Sequence, residues 1–367
     1  MTNRLLYQIA LTQLSNIGNI TAKKLVSYCG GVESVFEESK ANLLKIPGIS
    51  RVLVEGILKN NEALKRAEEE IRFIEKYAIE TLFYLDNDYP LRLKQCNDSP
   101  IMLYAKGHAR LNNTKVLSIV GTRNATDYGK HLCQQLIRDL APMDVLVVSG
   151  LAYGIDSAAH KAALDAGLET VAVLGHGLDM IYPAQNRPLA EKIVNQGCLL
   201  TEFLSKTKPD RENFPQRNRI VAGMADAVIV IEAGRKGGAL ITADIATSYN
   251  RDVFAIPGRV NDAFSMGCND LIKANKAALI SSAEDVIYSM QWDVQPGKTP
   301  KQRSMFIVFS LEEQKIVDLL NENKEMGIDD LCIQSGLKPG KAAEALLNLE
   351  FENVVRSHPG NRYSLYG

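Results

Sequence analysis

One device recurs along the stretch from Leu117 to Pro257: a short apolar run that ends in a small or glycine-rich turn. Ser118-Ile119-Val120 runs into Gly121-Thr122-Arg123, and Val147-Val148 into Ser149-Gly150-Leu151-Ala152-Tyr153-Gly154. Val173-Leu174 leads to Gly175-His176-Gly177-Leu178-Asp179, and Val230-Ile231 to Glu232-Ala233-Gly234-Arg235-Lys236-Gly237-Gly238. Glycine lets backbone N–H groups approach a bound group, and a following helix N-terminus adds partial positive charge. Repeated at neighbouring strand ends, this builds a surface for phosphates. Four such turns in series suit a polyanion track as readily as one small ligand.

The runs at 116–120, 145–149, 170–174, 198–201, 227–232 and 252–256 are mostly unbroken Val, Ile, Leu and Ala. A strand buried on both faces needs that, whereas a half-exposed strand alternates. Helical patterns such as Tyr128–Leu140 and Ile155–Ala166 lie between them. Strand–helix alternation predicts an α/β fold with an extended, Rossmann-like parallel sheet, whose ligands sit beyond the carboxyl ends of the strands.

The flanks read differently. Residues 1–78 predict helices with two similar units, Leu11–Leu25 around Gly18 and Leu43–Leu53 around Gly48. Each is a glycine turn before a capped helix, the order of a helix-hairpin-helix or SAM-like module. Such turns offer amides to a DNA phosphate or serve simply for helix packing. Residues 79–290 are the predicted Rossmann-like domain, with 80–115 as an entry segment carrying one edge strand. Residues 291–305, rich in Pro, Gly and Lys, predict a linker. Residues 306–367 predict three helices, at Leu311–Asn321, Ile328–Gln334 and Pro339–Leu349, and a hairpin over Val354–Leu365 with a Pro359-Gly360-Asn361 turn. That is winged helix-turn-helix order. Its third helix has Lys338 and Lys341 but also Glu344 and Glu350, so DNA reading and partner docking both stay open.

The 367 residues carry 42 basic and 43 acidic side chains, a net charge of −1, so a nucleic-acid site here must be a local cluster. No run predicts a membrane-spanning helix, and Met1–Gln8 does not read as a secretion signal, which makes a cytoplasmic location the expectation. The six cysteines have no C-x-x-C spacing, so neither a metal site nor a redox pair is expected. Walker, G-x-G-x-x-G, H-E-x-x-H and G-x-S-x-G motifs do not occur. No cofactor is expected, and the few histidines, His160 and His176 among them, read as packed groups or phosphate donors.

Arg123 at the end of a buried run can grip a phosphate through two N–H groups, or pair with a carboxylate inside the domain. Phe214-Pro215-Gln216-Arg217-Asn218-Arg219 is the densest polar cluster, two arginines around an asparagine at the head of a helix. Arginine suits phosphates and base stacking; Phe214 is either a base platform or a packing staple. Lys236 with Gly237 and Gly238 can form an anion nest. Tyr182-Pro183-Ala184-Gln185-Asn186-Arg187 offers an aromatic, an amide and a cation as a backbone clamp.

Taken in order, these pieces resemble the DNA-processing protein A family (DprA, also called Smf). The motifs are Val120-Gly121-Thr122-Arg123, Ser149-Gly150-Leu151-Ala152-Tyr153-Gly154-Ile155-Asp156-Ser157-Ala158-Ala159-His160, Gly177-Leu178-Asp179-Met180-Ile181-Tyr182-Pro183, Phe214 to Ile220, Glu232-Ala233, Gly238 to Ala243 and Val253 to Gly258. The resemblance implies a non-catalytic, dimeric protein that binds single-stranded DNA, interacts with the recombinase RecA and helps load it on incoming strands in natural transformation. Carried over by motif, Arg123, Arg217, Arg219 and Lys236 would contact phosphates, and Ser149, Gly150, Gly237 and Gly238 would shape the pocket. Gly121, Thr122, Gly154, Asn186, Phe214 and Asn218 complete the expected single-strand site. Gly237 stands where the family usually has serine.

Two other readings come from different classes. Lysine-decarboxylase-like enzymes that cleave nucleotides use the same sheet, with a P-G-G-x-G-T turn and a catalytic glutamate; here Asp244 is the nearest acid downstream of Gly234–Gly238. A transcription regulator would rest on the winged helix alone.

Overall fold

Strand formation follows the unbroken apolar runs. In the computed structural model, which describes residues 2–292, 309–323, 325–352, 354–358 and 361–365, they become β3 (Val116–Val120), β4 (Leu146–Ser149), β5 (Thr170–Val173), β6 (Gly197–Thr201), β7 (Ala227–Val230) and β8 (Asp252–Ala255). All but Asp252 of these residues are buried, as a sheet covered on both faces requires. The run expected to reach 232 leaves the ladder at Val230: Glu232 turns its carbonyl to the Thr122 N–H (2.7 Å).

Where one edge strand was expected in 80–115, there are two, β1 (Glu80–Phe83) and β2 (Met102–Gly107), and β9 (Ala278–Leu279) closes the other edge. The order is β1-β2-β6-β5-β4-β3-β7-β8-β9. Strands β6 through β9 are mutually parallel, and β2 joins β6 antiparallel, Tyr104 opposite Thr201. Helices cover both faces. One apolar layer gathers Val116, Val148, Val228 and Val221; the other gathers Leu117, Ile119, Ile137, Ala159 and Ile229.

The N-terminal segment forms helices Thr2–Thr12, Asn19–Cys29, Val32–Glu37, Lys40–Leu43, Arg51–Leu58 and Asn61–Tyr77. They share an apolar core with Leu174, Leu189 and Leu199 of the α/β layer, and residues 2–292 fall in one compact unit. The two glycine turns are built differently. Gly48 takes the left-handed conformation (φ 79°), and Ser50 caps the next helix by accepting from the Leu53 N–H; in the first copy Asn16 is the left-handed residue (φ 62°). There Asn19 Oδ1 accepts the Ile101 N–H (3.0 Å), so the first turn docks onto the α/β layer. The long helix is anchored by Arg66, which donates to the Ser205 carbonyl (2.6 Å), and by buried Glu70, which accepts the Ser205 N–H (3.0 Å) and hydroxyl (2.6 Å).

The C-terminal unit has helices Leu311–Asn323, Ile328–Ser335 and Pro339–Phe351 and a three-stranded antiparallel sheet of Glu325–Gly327, Arg362–Leu365 and Val355–His358, with Leu320, Leu331, Leu346 and Val355 in its core. This is the winged helix. The expected linker lies, from 293 on, outside the described residues, as do Pro359 and Gly360 of the expected turn. Among the described residues, no helix is long and apolar enough to cross a membrane.

Candidate functional site

Strand β3 lies between β4 and β7, and the chain order reverses there. The helix after β3 and the helix after β7 leave toward opposite faces, so a crevice opens beyond the carboxyl ends of the two strands. It is a cleft of about 340 Å³. Gly121, Thr122 and Arg123 line it from β3; Ala152 and Asp156 from β4; Phe214, Arg217 and Asn218 from the helix Asn213–Met224; and Gly234, Lys236, Gly237, Gly238 and Thr242 from β7 and the helix Gly238–Ser248.

The turns after β3 and β4 interlock. Gly154 has φ 76°, and a Cβ there would sit 2.2 Å from the Thr122 carbonyl oxygen. That carbonyl accepts the Ile155 N–H (3.2 Å), which joins the first turn to the start of the next helix. Glu232, buried, accepts the N–H (2.9 Å) and hydroxyl of Thr126, and Thr126 Oγ1 in turn caps the helix Asp127–Leu140 through the Gly129 N–H (3.0 Å). The Glu232 carboxylate is therefore committed to holding that helix start.

Arg217 is the buried cation of the site, 5% exposed. Its guanidinium faces Asp156 (3.9 Å), and its Nε has no hydrogen-bond partner. Burial pushes the Asp156 carboxyl upward, opposed by Arg217 and by the Ala152 N–H; burial also lowers the Arg217 pKa, opposed by Asp156. A pair this deep survives because each charge offsets the other's desolvation. Arg123 by contrast is exposed, its guanidinium 5.3 Å over the Phe214 ring, and Tyr182 lies 6.2 Å from that ring. Lys236, Gly237 and Gly238 form an exposed rim. Gly237 is extended (φ 163°) and so is not the left-handed turn of a nest; the anion-attracting element is instead the N-terminus of the helix Gly238–Ser248. Asn218 Nδ2 approaches the Gly238 carbonyl (3.4 Å) and joins the two walls.

Five expected site residues do not line the cleft: Gly150, which lines the notch beside it, Gly154, and three whose side chains hold other protein groups. Arg219 pairs with Glu202 and donates to the Asp98 carbonyl, with Arg219 and Glu202 side chains 12% and 11% exposed. Residues two apart on a helix point about 200° apart, so Arg217 and Arg219 cannot serve one face. Ser149 is buried and donates to the Ile119 carbonyl (2.6 Å), tying β4 to β3. Asn186 donates from Nδ2 to the Leu151 carbonyl (2.8 Å) and to Ser157 Oγ (2.9 Å); Leu151 is left-handed (φ 55°), so Asn186 holds the turn rather than lining the cleft.

The reading of the sequence passed over Asp156. It stands in the Ser149–His160 motif, and its physical signal was an acid in the first turn of an otherwise small and apolar helix. Tyr153 was also unassigned; it lines a notch beside the main cleft with Arg123, Gly150, Pro183, Phe214 and Tyr182, the aromatic of the expected clamp. Both histidines are internal. Thr170 gives its proton to the Val147 carbonyl (2.8 Å), so it accepts from His160 Nδ1–H (2.8 Å), and burial lowers the His160 pKa to about 3. His176 donates to the Gly177 carbonyl (2.9 Å) and accepts the Tyr182 N–H (3.2 Å). Asp244 pairs with Lys276 (2.8 Å) at the surface and does not line the cleft. No cluster of possible metal ligands occurs among the described residues.

Comparison with known proteins agrees with this architecture. The family model for DNA recombination-mediator protein A matches residues 80–291, and that for the DprA winged helix domain matches residues 308–361. The chain belongs to the DprA/Smf family. The Smf protein of Synechocystis is 32% identical over 97% of this chain and 98% of its own length. The DNA processing protein DprA of Streptococcus pneumoniae is 41% identical over 57% of this chain and 73% of its own. The X-ray structure of DprA from Streptococcus pneumoniae matches with a TM-score of 0.67 at 34% identity, covering 77% of this chain and 97% of that one. DprA from Helicobacter pylori, whose structure concerns its single-stranded DNA binding mode, matches with a TM-score of 0.54 at 31% identity over 59% of this chain and 97% of its own. The family membership and the α/β fold with a winged helix, both read from the sequence, are borne out.

Proposed function

We propose that this protein binds single-stranded DNA in the cleft between the ends of β3 and β7, without catalysis, and passes the strand to the RecA recombinase as a homodimer during transformation or recombination. The observation that carries the binding step is the placement of Arg123 over Phe214, opposite Lys236 and the start of the helix Gly238–Ser248. A cation on an aromatic face takes a phosphate and leaves a platform for a base. The cleft also lacks a free acid: Asp156 is paired with Arg217, and Glu232 holds Thr126. The relative from Helicobacter pylori supports the same ligand; RecA transfer and dimerisation rest on the family resemblance.

The test is fluorescence anisotropy of the full chain with labelled single-stranded and duplex oligonucleotides across a salt series. The expected result is preference for the single strand, with log K falling against log salt by about 0.7 for each phosphate neutralised. Equal weak binding to both forms, together with release of free base from nucleoside monophosphates, would overturn the reading in favour of nucleotide cleavage.

A further inference from the structure

A second groove, about 450 Å³, opens where the end of the helix Asn61–Tyr77 faces the helix Arg187–Gln196. Phe73, Ile181 and Val194 contribute to its apolar lining, and Tyr77, Lys106 and Arg187 to its rim. Phe73 and Tyr77 are ring partners, 4.8 Å between centroids. Tyr77 is 44% exposed, and its ring carries two ammonium groups, Lys76 at 5.1 Å and Lys106 at 5.7 Å. No ion pair among the described residues engages Lys76, Lys106 or Arg187. Of the two lining acids, Asp179 accepts the Lys206 N–H (2.9 Å) and Glu191 is exposed.

One stretch of backbone serves both this groove and the notch beside the first cleft. Met180 and Ile181 line the groove; the next residues, Tyr182 and Pro183, line the notch together with Arg123 and Phe214. The connecting segment is pinned, since His176 Nε2 accepts the Tyr182 N–H. Arg187 stands at the start of its helix, where the helix dipole adds to its charge.

We propose that a DNA strand held in the first cleft continues over Tyr182 into this groove, where Tyr77 stacks a base and Lys106 and Arg187 neutralise phosphates. The inference rests on single-strand binding in the first cleft. Unpaired cations on an aromatic rim favour a strand over the other candidate occupant, a peptide: a backbone phosphate takes the ammonium from the Tyr77 ring and frees that face for a base. The groove then sets the length of strand that the protein holds.

The test uses the full chain with thymidine oligonucleotides of about 4 and about 16 nucleotides, the range over which single-strand sites extend. Lys106→Ala/Arg187→Ala is expected to weaken the long oligonucleotide about tenfold and lower its salt slope by about 1.4, two phosphates at about 0.7 each, with the short one unchanged. Tyr77→Ala is expected to weaken the long oligonucleotide in the same way but to leave its salt slope unchanged, and Tyr77→Phe, which keeps the ring, to bind as the parent does. A long oligonucleotide carrying 5-iodouracil should photocross-link to Tyr77 or Phe73. The proposal is overturned if the long oligonucleotide binds the variants as tightly as the parent, even if they lose a protein partner, or if short and long weaken together. If neither length binds the parent chain, the reading of the first cleft fails instead, and this one with it.

Discussion

The Arg217 guanidinium fills the space that a side chain at Gly150 would occupy: a Cβ at Gly150 would lie 1.2 Å from Arg217 Nη1. The glycine is thus a seat for the arginine. Gly150→Ala is expected to unseat Arg217, abolish most single-strand binding and destabilise the fold by about 1–3 kcal/mol, as overpacking of a filled interior does. Arg217→Ala, which leaves Asp156 buried without its partner, is expected to cost more, about 3–5 kcal/mol. Urea unfolding of both variants beside anisotropy checks this; a Gly150→Ala protein of parental stability and affinity would refute the seating.

Lys236 and Arg219 separate a contact from a strut. Lys236 is exposed on the rim of the cleft, so Lys236→Ala is expected to change stability by less than about 0.5 kcal/mol. It should also lower the salt slope of single-strand binding by about 0.7. Arg219→Ala strands Glu202, whose Oε1 already has no partner, and is expected to lower stability by about 3–5 kcal/mol. Arg219→Ala with Glu202→Gln should recover part of that loss. A melting temperature unmoved by Arg219→Ala would show the arginine free to bind DNA after all.

His160 gives a pH signature. Its folded pKa, about 3, lies below the ordinary value of 6.5, so between these values the unfolded chain holds the extra proton. The stability is full above about 6.5 and drains as pH falls toward 3, by up to about 1.4 kcal/mol per pH unit. Unfolding free energies at pH 7, 6 and 5 should show this slope, and His160→Gln, which keeps a donor for Thr170, should lack it. Equal slopes in the two proteins would assign the effect to other groups.

Asn186 fastens a residue in an uncommon conformation. Leu151 is left-handed and fully buried, and the Asn186 amide donates to its carbonyl. Asn186→Ala is expected to cost about 1–3 kcal/mol by leaving that acceptor unpaired. It should weaken single-strand binding without altering the salt slope, because no phosphate contact goes with it. An Asn186→Ala protein of parental stability but lowered affinity would place Asn186 in contact with the strand.

The sheet was legible because burial on both faces demands uninterrupted apolar runs, and Val116–Val120 and Ala227–Val230 have them. Glu80–Phe83 was not, since its face is set only by pairing with Met102–Gly107, and Ala278–Leu279 is too short to carry a pattern. At the site, the order of motifs led to Arg123, Phe214, Arg217, Asn218 and Lys236, which do share one cleft. Order alone does not give direction around a helix or across a strand. That is why Arg219, Ser149 and Asn186 were assigned to the ligand and turn out to hold protein groups instead.

The pairing of β3 with β7 sets Leu117 beside Ala227, partners about 110 residues apart in the order of synthesis. At about 5–20 residues per second, a ribosome needs roughly 5–20 s to make that stretch. Through that interval the nascent chain exposes an open edge of β3, an internal strand of the finished sheet, with only one wall of the crevice in existence. An incomplete polypeptide therefore lacks the finished crevice for a nucleic acid, and the edge is a place for a chaperone to shield.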